Sequence, residues 1–574
     1  MKTLVTYLKI TLTGIYSLLT YDCSIAQYLH WADEIGGGTS GAYGWSISVD
    51  KHGNVYTGCQ LSGNADFDPG TSIFNLTTPV TIRNFAVSKL SNNGNFIWAK
   101  QFVSSQTQRI RAIVTDDSSN VYLTGGFRGT IDFDPGPGTN YLTSTSFAKD
   151  DIYICKLDSN GNFVWAFSTG NGIADCEAQR LVHDPYGDII IAGNFSDSVD
   201  FDFGAGTHFQ YTPSDKIFVL KIDRNGNFIW SGEIGGPGND LVGKLTTDAH
   251  ASMYITGTFT DSIDIDPGLS SFTLNSNGQE DMFVCKLDSN GTLLWGKNIG
   301  GPLEDYGEAI AHDNNGNVFI SGTFRDTVDF DPGPSDFSLY GTGIDNVYIV
   351  SLNSFGDFVW AIQISGTESQ SCADLSFDDY ENIILGGAFT GLTDFNGGPG
   401  IYYLNAYGHS HGFVCKYHQS GVFLWAGQFE GDSSTIHDSS VHSVFGDTLN
   451  NVYSTGEFRG TIDFDPQSGI YNLSALHSCF VVKLSSSPVG TNDLSSKTND
   501  FYVYPNPTKG IINLVSPSEI KEALVLNSIG QRILEIKNHG EAIRTLDVSK
   551  LTSGLYFIQA LTEYRMYTCK LLKN

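Results

Sequence analysis

Seven tryptophans recur at nearly constant spacing along the first 425 residues of this chain. Successive members lie 67, 67, 65, 65, 65 and 65 residues apart, and the series is Trp31, Trp98, Trp165, Trp230, Trp295, Trp360 and Trp425. A fixed period of this length is typical of repeat architectures, in which one supersecondary unit is copied and stacked. The spacing therefore predicts seven copies of a unit of about 65 residues.

Three more motifs recur with the tryptophans: GNVYTG at 53–58, DFDPG at 132–136 and FVCKL at 283–287 each have a counterpart in every unit. Each unit thus has four short segments rich in Val, Ile, Phe, Tyr and Trp, separated by turn residues, which predicts four antiparallel strands. Four to eight such sheets can close radially. The sequence therefore predicts an all-β fold, a seven-bladed β-propeller over residues 27–484, with an open β-solenoid as the alternative.

The two ends of the repeat region are complementary. The chain opens with a Trp-bearing strand around Tyr28–Ile35, and the last unit stops after the FVVKL strand at 480–484 without a Trp strand of its own. We predict that the first strand completes the last sheet and closes the propeller through backbone hydrogen bonds.

The acidic turns are the most chemically suggestive repeated feature. Two carboxylates two residues apart, followed by a turn, could supply oxygen ligands to calcium, the one cofactor considered. The alternative is a turn whose Asp oxygens cap their own backbone. Paired carboxylates also occur in glycosidases, but a catalytic pair should be unique. The candidate metal ligands are Asp66, Asp68, Asp132, Asp134, Asp200, Asp202, Asp264, Asp266, Asp329, Asp331, Asp463 and Asp465.

These repeats resemble the SBBP-type bacterial β-propeller repeat. The likeness lies in the IGG segment with a following Asp, the D-x-x-GN-x-Y-x-TG turn and strand, and the FV-x-KL strand before the Trp. Good matches are EIGGPGND at 233–240 and NIGGPLED at 298–305. The function of that family is poorly defined, so the resemblance implies a fold more than a function.

A second kind of sequence follows the repeats. Residues 485–500 have no apolar period and are predicted to be a linker, and residues 501–574 alternate apolar and polar residues between turns, which predicts a small Ig-like β-sandwich. These segments resemble the type A C-terminal sorting domain of type IX secretion substrates of Bacteroidetes. The resemblance implies the type IX machinery as a partner, and its motif residues are Tyr504, Pro505, Asn506, Pro507, Gly510, Gly530, Gly554 and Lys570.

The N-terminus is consistent with export. Lys2 and Lys9, an apolar stretch from Ile10 to Leu19 and a small-x-small site before Gln27 predict a signal peptide over residues 1–26, and no later stretch is apolar enough to span a membrane. We predict a secreted or cell-surface protein without a membrane span in the mature chain. The net charge of −30 argues against nucleic-acid binding.

Export would permit disulfides, but the nine cysteines do not suggest a disulfide framework. Cys155, Cys285 and Cys415 occupy one position in three repeat units, where other units have Ser, Leu or Val. Cysteines in different units should lie farther apart than the roughly 7 Å between Cα atoms that a disulfide tolerates. We therefore predict buried free thiols.

No motif for nucleophilic catalysis, zinc hydrolysis or phosphate binding is present. His409 and His411, with His418 nearby, could share a metal, but they occur in one unit and fit loop variation better. The preferred function is a non-catalytic scaffold that binds a glycan, a surface protein or an ion. The alternative is a polysaccharide-active enzyme with its site on one propeller face. A cluster of repeat-breaking polar residues near the axis would help to separate the two.

Overall fold

The computed structural model describes residues 27–36, 41–144, 146, 149–169, 175–431, 437–467, 469–486, 502–504, 508–515, 519–527, 532–537, 543–561 and 566–573. The chain divides into two compact units, Met1–Pro488 and Val489–Asn574. The division falls inside the segment 485–500. The predicted signal peptide, residues 1–26, lies outside the described residues.

The elements of the first four repeats are all strands. In chain order they are β1 (Tyr28–Ile35), β2 (Ala42–Val49), β3 (Val55–Leu61), β4 (Gly63–Asp66), β5 (Asn75–Thr78), β6 (Asn84–Leu90), β7 (Phe96–Phe102), β8 (Ala112–Thr115), β9 (Val121–Phe127), β10 (Thr130–Asp132), β11 (Tyr141–Thr143), β12 (Asp151–Leu157), β13 (Phe163–Ser168), β14 (Asp175–His183), β15 (Ile189–Asp200), β16 (Phe209–Ile222), β17 (Phe228–Ile234), β18 (Asp240–Thr247), β19 (Met253–Asp264), β20 (Thr273–Leu287) and β21 (Leu293–Ile299).

The remaining elements are also strands. The last three repeats contain β22 (Ala309–His312), β23 (Val318–Phe324), β24 (Thr327–Asp329), β25 (Ser338–Tyr340), β26 (Asn346–Leu352), β27 (Phe358–Gly366), β28 (Gln370–Phe377), β29 (Ile383–Asp394), β30 (Tyr403–Tyr417), β31 (Phe423–Gly431), β32 (Asp438–Gly446), β33 (Val452–Asp463) and β34 (Asn472–Ser485). The second unit contains β35 (Tyr502–Tyr504), β36 (Ile511–Val515), β37 (Glu522–Asn527), β38 (Arg532–Lys537), β39 (Thr545–Asp547), β40 (Gly554–Leu561) and β41 (Met566–Lys573).

The long strands of the first unit pair as four-stranded antiparallel sheets. The described residues form seven of them, in the orders β2-β3-β6-β7, β8-β9-β12-β13, β14-β15-β16-β17, β18-β19-β20-β21, β22-β23-β26-β27, β28-β29-β30-β31 and β32-β33-β34-β1. Two-residue pairings, β27 with β29 and β31 with β33, join the last three edge to edge. The prediction of an all-β chain is confirmed. None of the described segments is a helix that could span a membrane.

Each sheet packs against two others through apolar side chains. The described residues form seven buried clusters in this unit, and every cluster combines residues of two sheets that are neighbours in the series. One of them joins the seventh sheet to the first and contains Ile35, Val481, Val55 and Leu61. The hydrophobic effect on burying these faces therefore links all seven sheets, including the two ends of the series.

The first strand completes the last sheet, as predicted. β1 pairs antiparallel with β34, in a register that runs from Tyr28 opposite Ser485 to Ile35 opposite Cys479. The side chain of Ser478 also donates a 3.0 Å hydrogen bond to the carbonyl of Ile35. The N-terminal strand is thus held by residues more than 440 positions away in sequence.

One aspartate organises each turn between the first and second strand of a sheet. Oδ1 of Asp50 accepts hydrogen bonds from the backbone N–H groups of His52 at 2.9 Å and Asn54 at 3.0 Å, and Oδ2 accepts one from the hydroxyl of Tyr56 at 3.0 Å. Burial opposes ionisation of Asp50, but the bonds from Asn54 and His52 lower its pKa below the ordinary value. The two backbone bonds recur at Asp116, Asp184, Asp248, Asp313, Asp378 and Asp447.

The repeated tryptophans connect neighbouring sheets. The indole N–H of Trp31 donates a 3.0 Å hydrogen bond to the carbonyl of Asn92, which lies in a turn of the first sheet, whereas Trp31 itself belongs to the seventh. The same bond to a turn of the next sheet is made by Trp98, Trp230, Trp295 and Trp360. The 65-residue period therefore reflects an inter-sheet contact that five of the seven tryptophans make.

The second unit consists of two antiparallel sheets, β35-β36-β39 and β38-β37-β40-β41. One buried cluster is shared by both sheets and includes Ile512, Leu546, Val525 and Ile558. Two sheets that enclose a single apolar core agree with the predicted sandwich.

Candidate functional site

The acidic turns have the same hydrogen bonds in each repeat. Oδ1 of Asp200 accepts from the backbone N–H groups of Asp202 at 3.1 Å and His208 at 2.7 Å, and Oδ1 of Asp202 accepts from the N–H of Gly204 at 2.8 Å. The corresponding bonds are made by the pairs Asp66 and Asp68, Asp132 and Asp134, Asp264 and Asp266, Asp329 and Asp331, and Asp463 and Asp465.

These hydrogen bonds are the ones expected if the aspartates cap the backbone of their own turns, which was the alternative to calcium binding. A Cβ atom placed on Gly206 would lie 2.2 Å from Oδ2 of Asp202, so the second oxygen also packs against its own turn. In the part of the chain that the structure describes, no three His, Cys, Asp or Glu side chains are grouped so as to hold a metal ion. Calcium binding at the acidic turns stays a prediction.

The histidines of the sixth repeat do not converge. The side chain of His411 is buried and its Nδ1 atom has no hydrogen-bond partner among the described residues, and burial lowers its pKa. Nδ1 of His409 lies 3.7 Å from Oδ1 of Asp438. His418 bonds to Ser420 in its own turn. These contacts favour loop variation over a shared metal.

A different set of polar residues meets where the innermost strands converge. We call the space between them the axial cavity: it encloses about 200 Å³ and is lined from β2, β14, β18, β28 and β32 and from residues in and just before β8. Six of the residues that line it, which we call the axial cluster, are Trp45, Arg111, Arg180, Lys244, Asp374 and His442.

Lys244 and Asp374 bridge the cavity between the fourth and sixth sheets. The ammonium of Lys244 contacts Oδ1 of Asp374 directly and lies 3.3 Å from the carbonyl of Leu375. Oδ2 of Asp374 accepts hydrogen bonds from the hydroxyl of Ser443 at 2.8 Å and the N–H of Val444 at 3.0 Å. Both carboxylate oxygens of Asp374 are therefore held by donors from neighbouring strands.

Arg180 has no such partner. One of its N–H groups donates a 2.9 Å hydrogen bond to the carbonyl of Gln179, and no described carboxylate forms an ion pair with it. Burial lowers the pKa of Arg180 to about 10, and the positive charge of Arg111 acts in the same direction. The guanidinium therefore remains charged at neutral pH, with N–H donors left for another group.

Ionised Glu308 would raise the pKa of Arg180. Its Oε2 atom is buried without a hydrogen-bond partner among the described residues. Burial raises the pKa of Glu308 to about 8, against the opposing effect of Arg180. At neutral pH Glu308 is therefore mostly protonated and does not neutralise the guanidinium.

Trp45 forms one wall of the cavity. Its ring stacks on that of His442, with centroids 5.2 Å apart, and the guanidinium carbon of Arg111 lies 5.2 Å from the Trp45 ring centroid. Arg111 is in turn fixed by two hydrogen bonds to the carboxylate of Glu177, at 2.9 and 3.3 Å. The arrangement rigidly orders this side of the cavity.

The axial cluster is not among the sites predicted from the sequence. The chain has eight tryptophans, and Trp45 is the one that does not belong to the 65-residue series. Four residues before the turn aspartate, the seven repeats have Ser46, Ala112, Arg180, Lys244, Ala309, Asp374 and Ser443. Aligning the repeats on that aspartate would have shown that the charge at this one position of the innermost strand differs between repeats.

The sorting-domain motif residues lie in the second unit. Tyr504 ends β35, Gly510 directly precedes β36, Gly554 begins β40 and Lys570 belongs to β41. Gly510 donates its N–H to the hydroxyl of Thr508 at 3.1 Å. The other predicted motif residues, Pro505, Asn506, Pro507 and Gly530, lie outside the described residues.

Comparison with known families gives a match for the second unit. Residues 502–574 match the family described as the secretion system C-terminal sorting domain. This type IX sorting domain supports secretion of the chain and an interaction with the type IX machinery.

Two further comparisons match a larger part of the chain. The chain is 24% identical over 426 residues to an uncharacterised WD repeat-containing protein of Acanthamoeba polyphaga mimivirus, with 68% of this chain aligned. The aligned region spans only 28% of that relative's length. A crystal structure of a protein of unknown function from Dyadobacter fermentans aligns with 79% of this chain and 97% of its own, at 10% identity and a TM-score of 0.37. The WD-repeat relative hints at a repeat or propeller fold.

Proposed function

We propose that this protein is a seven-bladed β-propeller of the SBBP type, exported through the type IX system to the cell surface, where it binds an acidic sugar unit in its axial cavity without cleaving it. The propeller is supported by the seven four-stranded sheets, by the apolar cluster between the seventh sheet and the first, and by the pairing of β1 with β34.

Export through the type IX system is supported by the family match of residues 502–574. Deletion of residues 501–574 should abolish surface exposure in a host with a working type IX system. The first compact unit, which contains all seven repeats, should remain folded in the periplasm. Surface labelling with a membrane-impermeant reagent, with fractionation, measures the distribution. Surface exposure of the truncated chain would contradict the sorting role.

The observation that carries the binding proposal is the concentration of cations in the axial cavity. Arg111, Arg180 and Lys244 come from three successive sheets and line the same small space. The whole chain has 62 acidic and 32 basic residues, so such a grouping runs against its composition. Because Arg111 and Lys244 already have carboxylate partners, Arg180 is the residue we assign to an anionic group of the ligand.

The size of the cavity bears on the ligand. A volume of about 200 Å³ is below the roughly 300–1,000 Å³ of sites for drug-sized molecules. One sugar ring or a smaller acid suits this space better than a segment of a polymer. A sugar carboxylate would match the planar donor pattern of a guanidinium.

The geometry favours binding over the alternative of a polysaccharide-active enzyme. A glycosidase needs one carboxyl group to donate a proton and a second to act as base or nucleophile. In the axial cluster, the oxygens of Asp374 already accept bonds from Lys244, Ser443 and Val444, which orients the carboxylate and occupies its lone pairs. Asp374 is therefore a positioning residue for Lys244.

The test is calorimetric titration of the protein with glucuronate and galacturonate, compared with glucose, acetate, sulfate and phosphate. We expect the uronates to bind and glucose not to bind. Arg180→Gln should weaken uronate binding by at least tenfold, about 1.4 kcal/mol, because it removes the free guanidinium. Arg459→Gln, at an exposed arginine of β33, is the matched control and should bind like the wild type.

The other outcomes are equally informative. Equal binding of acetate, sulfate and uronates would indicate a general oxyanion site and reject the sugar. No binding of any of these ions would reject the axial site. Release of reducing ends from acidic polysaccharides, lost in Asp374→Asn, would favour the enzyme.

A further inference from the structure

Two cysteines meet at the junction between the first and seventh sheets. The sulfur of Cys59, in β3, lies 3.8 Å from the sulfur of Cys479, in β34. Both side chains are fully buried in the apolar cluster that joins these sheets. All seven described cysteines are buried, as predicted, and none of them is joined by a disulfide in this structure. The expectation that cysteines of different repeats lie far apart is wrong for this pair, since closure brings the first and last repeats together.

The two sheets approach closely at this point because β2 has a glycine there. A Cβ atom on Gly44 would lie 2.7 Å from the sulfur of Cys479 and 2.3 Å from Oγ1 of Thr455. Gly44 is also the pairing partner of Cys59 in the first sheet. Only a residue without a side chain lets Cys479 reach the face of the first sheet beside Cys59.

We propose that Cys59 and Cys479 form a disulfide in the exported protein, which covalently joins the first and last repeats. The sulfurs must approach by about 2 Å to reach the bond length of roughly 2.05 Å. The proposal extends beyond ligand binding and rests on the export of the chain to an oxidising compartment, where disulfides persist.

The chemistry requires a disulfide oxidant, such as glutathione disulfide or an oxidoreductase with an oxidised cysteine pair. One thiolate attacks a sulfur of the oxidant and releases the first thiol, and the second thiolate then attacks the mixed disulfide. The pair loses two protons and two electrons, and the oxidant gains them as two thiols. The product is one S–S bond in the chain.

The bond should form before the sheets finish packing. The contact with Cys479 and burial raise the pKa of Cys59 far above its ordinary value, so little thiolate exists in the closed molecule. An oxidant acts on the partly folded chain, and closure then buries the product. The crosslink spans residues 59 to 479, and a disulfide across so long a loop restricts the unfolded chain strongly in the chain-entropy description.

The experiment refolds the full chain in a buffer of reduced and oxidised glutathione, blocks free thiols with an alkylating reagent under denaturing conditions and identifies peptides by mass spectrometry without reduction. We expect a peptide that links Cys59 to Cys479, with Cys285 alkylated. Recovery of Cys59 and Cys479 as alkylated peptides would overturn the proposal. The design does not depend on export or on a ligand, so its failure is distinct from failure of the proposed function.

Thermal unfolding gives a second readout. Reductant should lower the melting temperature of the oxidised wild type by at least about 2 °C. Cys59→Ser should remove this dependence on reductant. Cys285→Ser, the control at a buried cysteine of the fourth sheet, should retain it. The same reductant effect in Cys59→Ser and the wild type would contradict the crosslink.

Discussion

The acidic turns and the axial cavity use aspartate in opposite ways. In the turns, an aspartate such as Asp200 bonds to backbone N–H groups within eight residues of itself, and the pattern recurs from repeat to repeat. In the cavity, Asp374 appears once, and its partners Lys244 and Ser443 lie 130 and 69 residues away. Local, repeated bonds build the scaffold, whereas long-range, unique contacts build the site.

The difference shows how a repeat protein can evolve a site without losing its fold. Turn residues must be the same because each sheet needs the same tight connection. Innermost strands can vary at the position occupied by Arg180, Lys244 and Asp374, because these three side chains line the axial cavity. The following predictions test whether stability and ligand binding separate along this division.

Loss of the closing strand should have the largest effect. Deletion of residues 28–36 removes β1 with its pairing to β34 and the bond from Trp31 to Asn92. The seventh sheet would then expose β34 as an edge and lose part of two apolar clusters. We expect the melting temperature to fall by about 10 °C or more.

The matched control for that deletion is removal of residues 501–574, which belong to the second compact unit. This truncation should have little effect on the melting temperature of the first compact unit, which contains all seven repeats. An unchanged melting temperature in the 28–36 deletion would argue against a closed propeller.

Replacement of a single turn aspartate should destabilise the protein less than deletion of β1. Asp50→Ala removes bonds to His52, Asn54 and Tyr56 and should destabilise the protein by about 1–3 kcal/mol in chemical denaturation. Because hydrogen bonds lower the pKa of Asp50, its ionised form adds stability above about pH 3.8 that is lost as the pH falls through its folded-state pKa. The variant should therefore lose part of the acid sensitivity of the wild type.

Uronate affinity should not change in Asp50→Ala. Arg180→Gln is the converse variant, which should lose affinity and keep stability. A turn variant that weakens binding as much as Arg180→Gln would show that scaffold and site are coupled and would break the comparison.

Much of the fold was predictable because the strongest constraints are periodic. The tryptophan spacing reports the bond between neighbouring sheets, as from Trp31 to Asn92, and the missing Trp strand of the last repeat indicated the pairing of β1 with β34. Turn aspartates such as Asp50 follow from local chemistry. These features depend on residues close in sequence or at a fixed period.

The axial cluster was not predictable in the same way. Lys244 and Asp374 are two sheets apart, and only the convergence of inner strands brings them into contact. Likewise, Cys59 and Cys479 belong to the first and last repeats, and their spacing in sequence gave no sign of a 3.8 Å contact. Deviations from the repeat mark such sites, but the residues that contact them can be identified only in the three-dimensional structure.

A rise in pH should have a moderate effect on uronate affinity. Burial raises the pKa of Glu308 to about 8, so the carboxyl is neutral at pH 7 and ionises as the pH rises through 8. The new negative charge would compete with an anionic ligand for Arg180. We expect uronate affinity to fall several-fold between about pH 7 and 9.

In Glu308→Gln the fall in uronate affinity should be smaller, since the amide does not ionise. Burial lowers the pKa of Lys244 to about 7, so loss of its charge accounts for the fall that remains. Calorimetry at each pH, with Arg459→Gln again as the control, separates this effect from a general change in protein charge. A pH profile that is identical in Glu308→Gln and the wild type would exclude Glu308 as the titrating group.

The smallest effect should come from calcium. Specific binding to the folded state at a hundred times the dissociation constant would add about 2.7 kcal/mol of stability. In the acidic turns, however, Oδ1 of Asp132 already accepts N–H bonds at 3.1 and 2.7 Å, and Oδ1 of Asp134 accepts one from Gly136 at 2.8 Å. A calcium ion would have to compete with these bonds. We therefore expect melting temperatures in millimolar calcium and in chelator to agree within about 1 °C. A larger stabilisation that disappears in Asp132→Asn would show that the turns bind calcium and that the repeated aspartates also have a ligand.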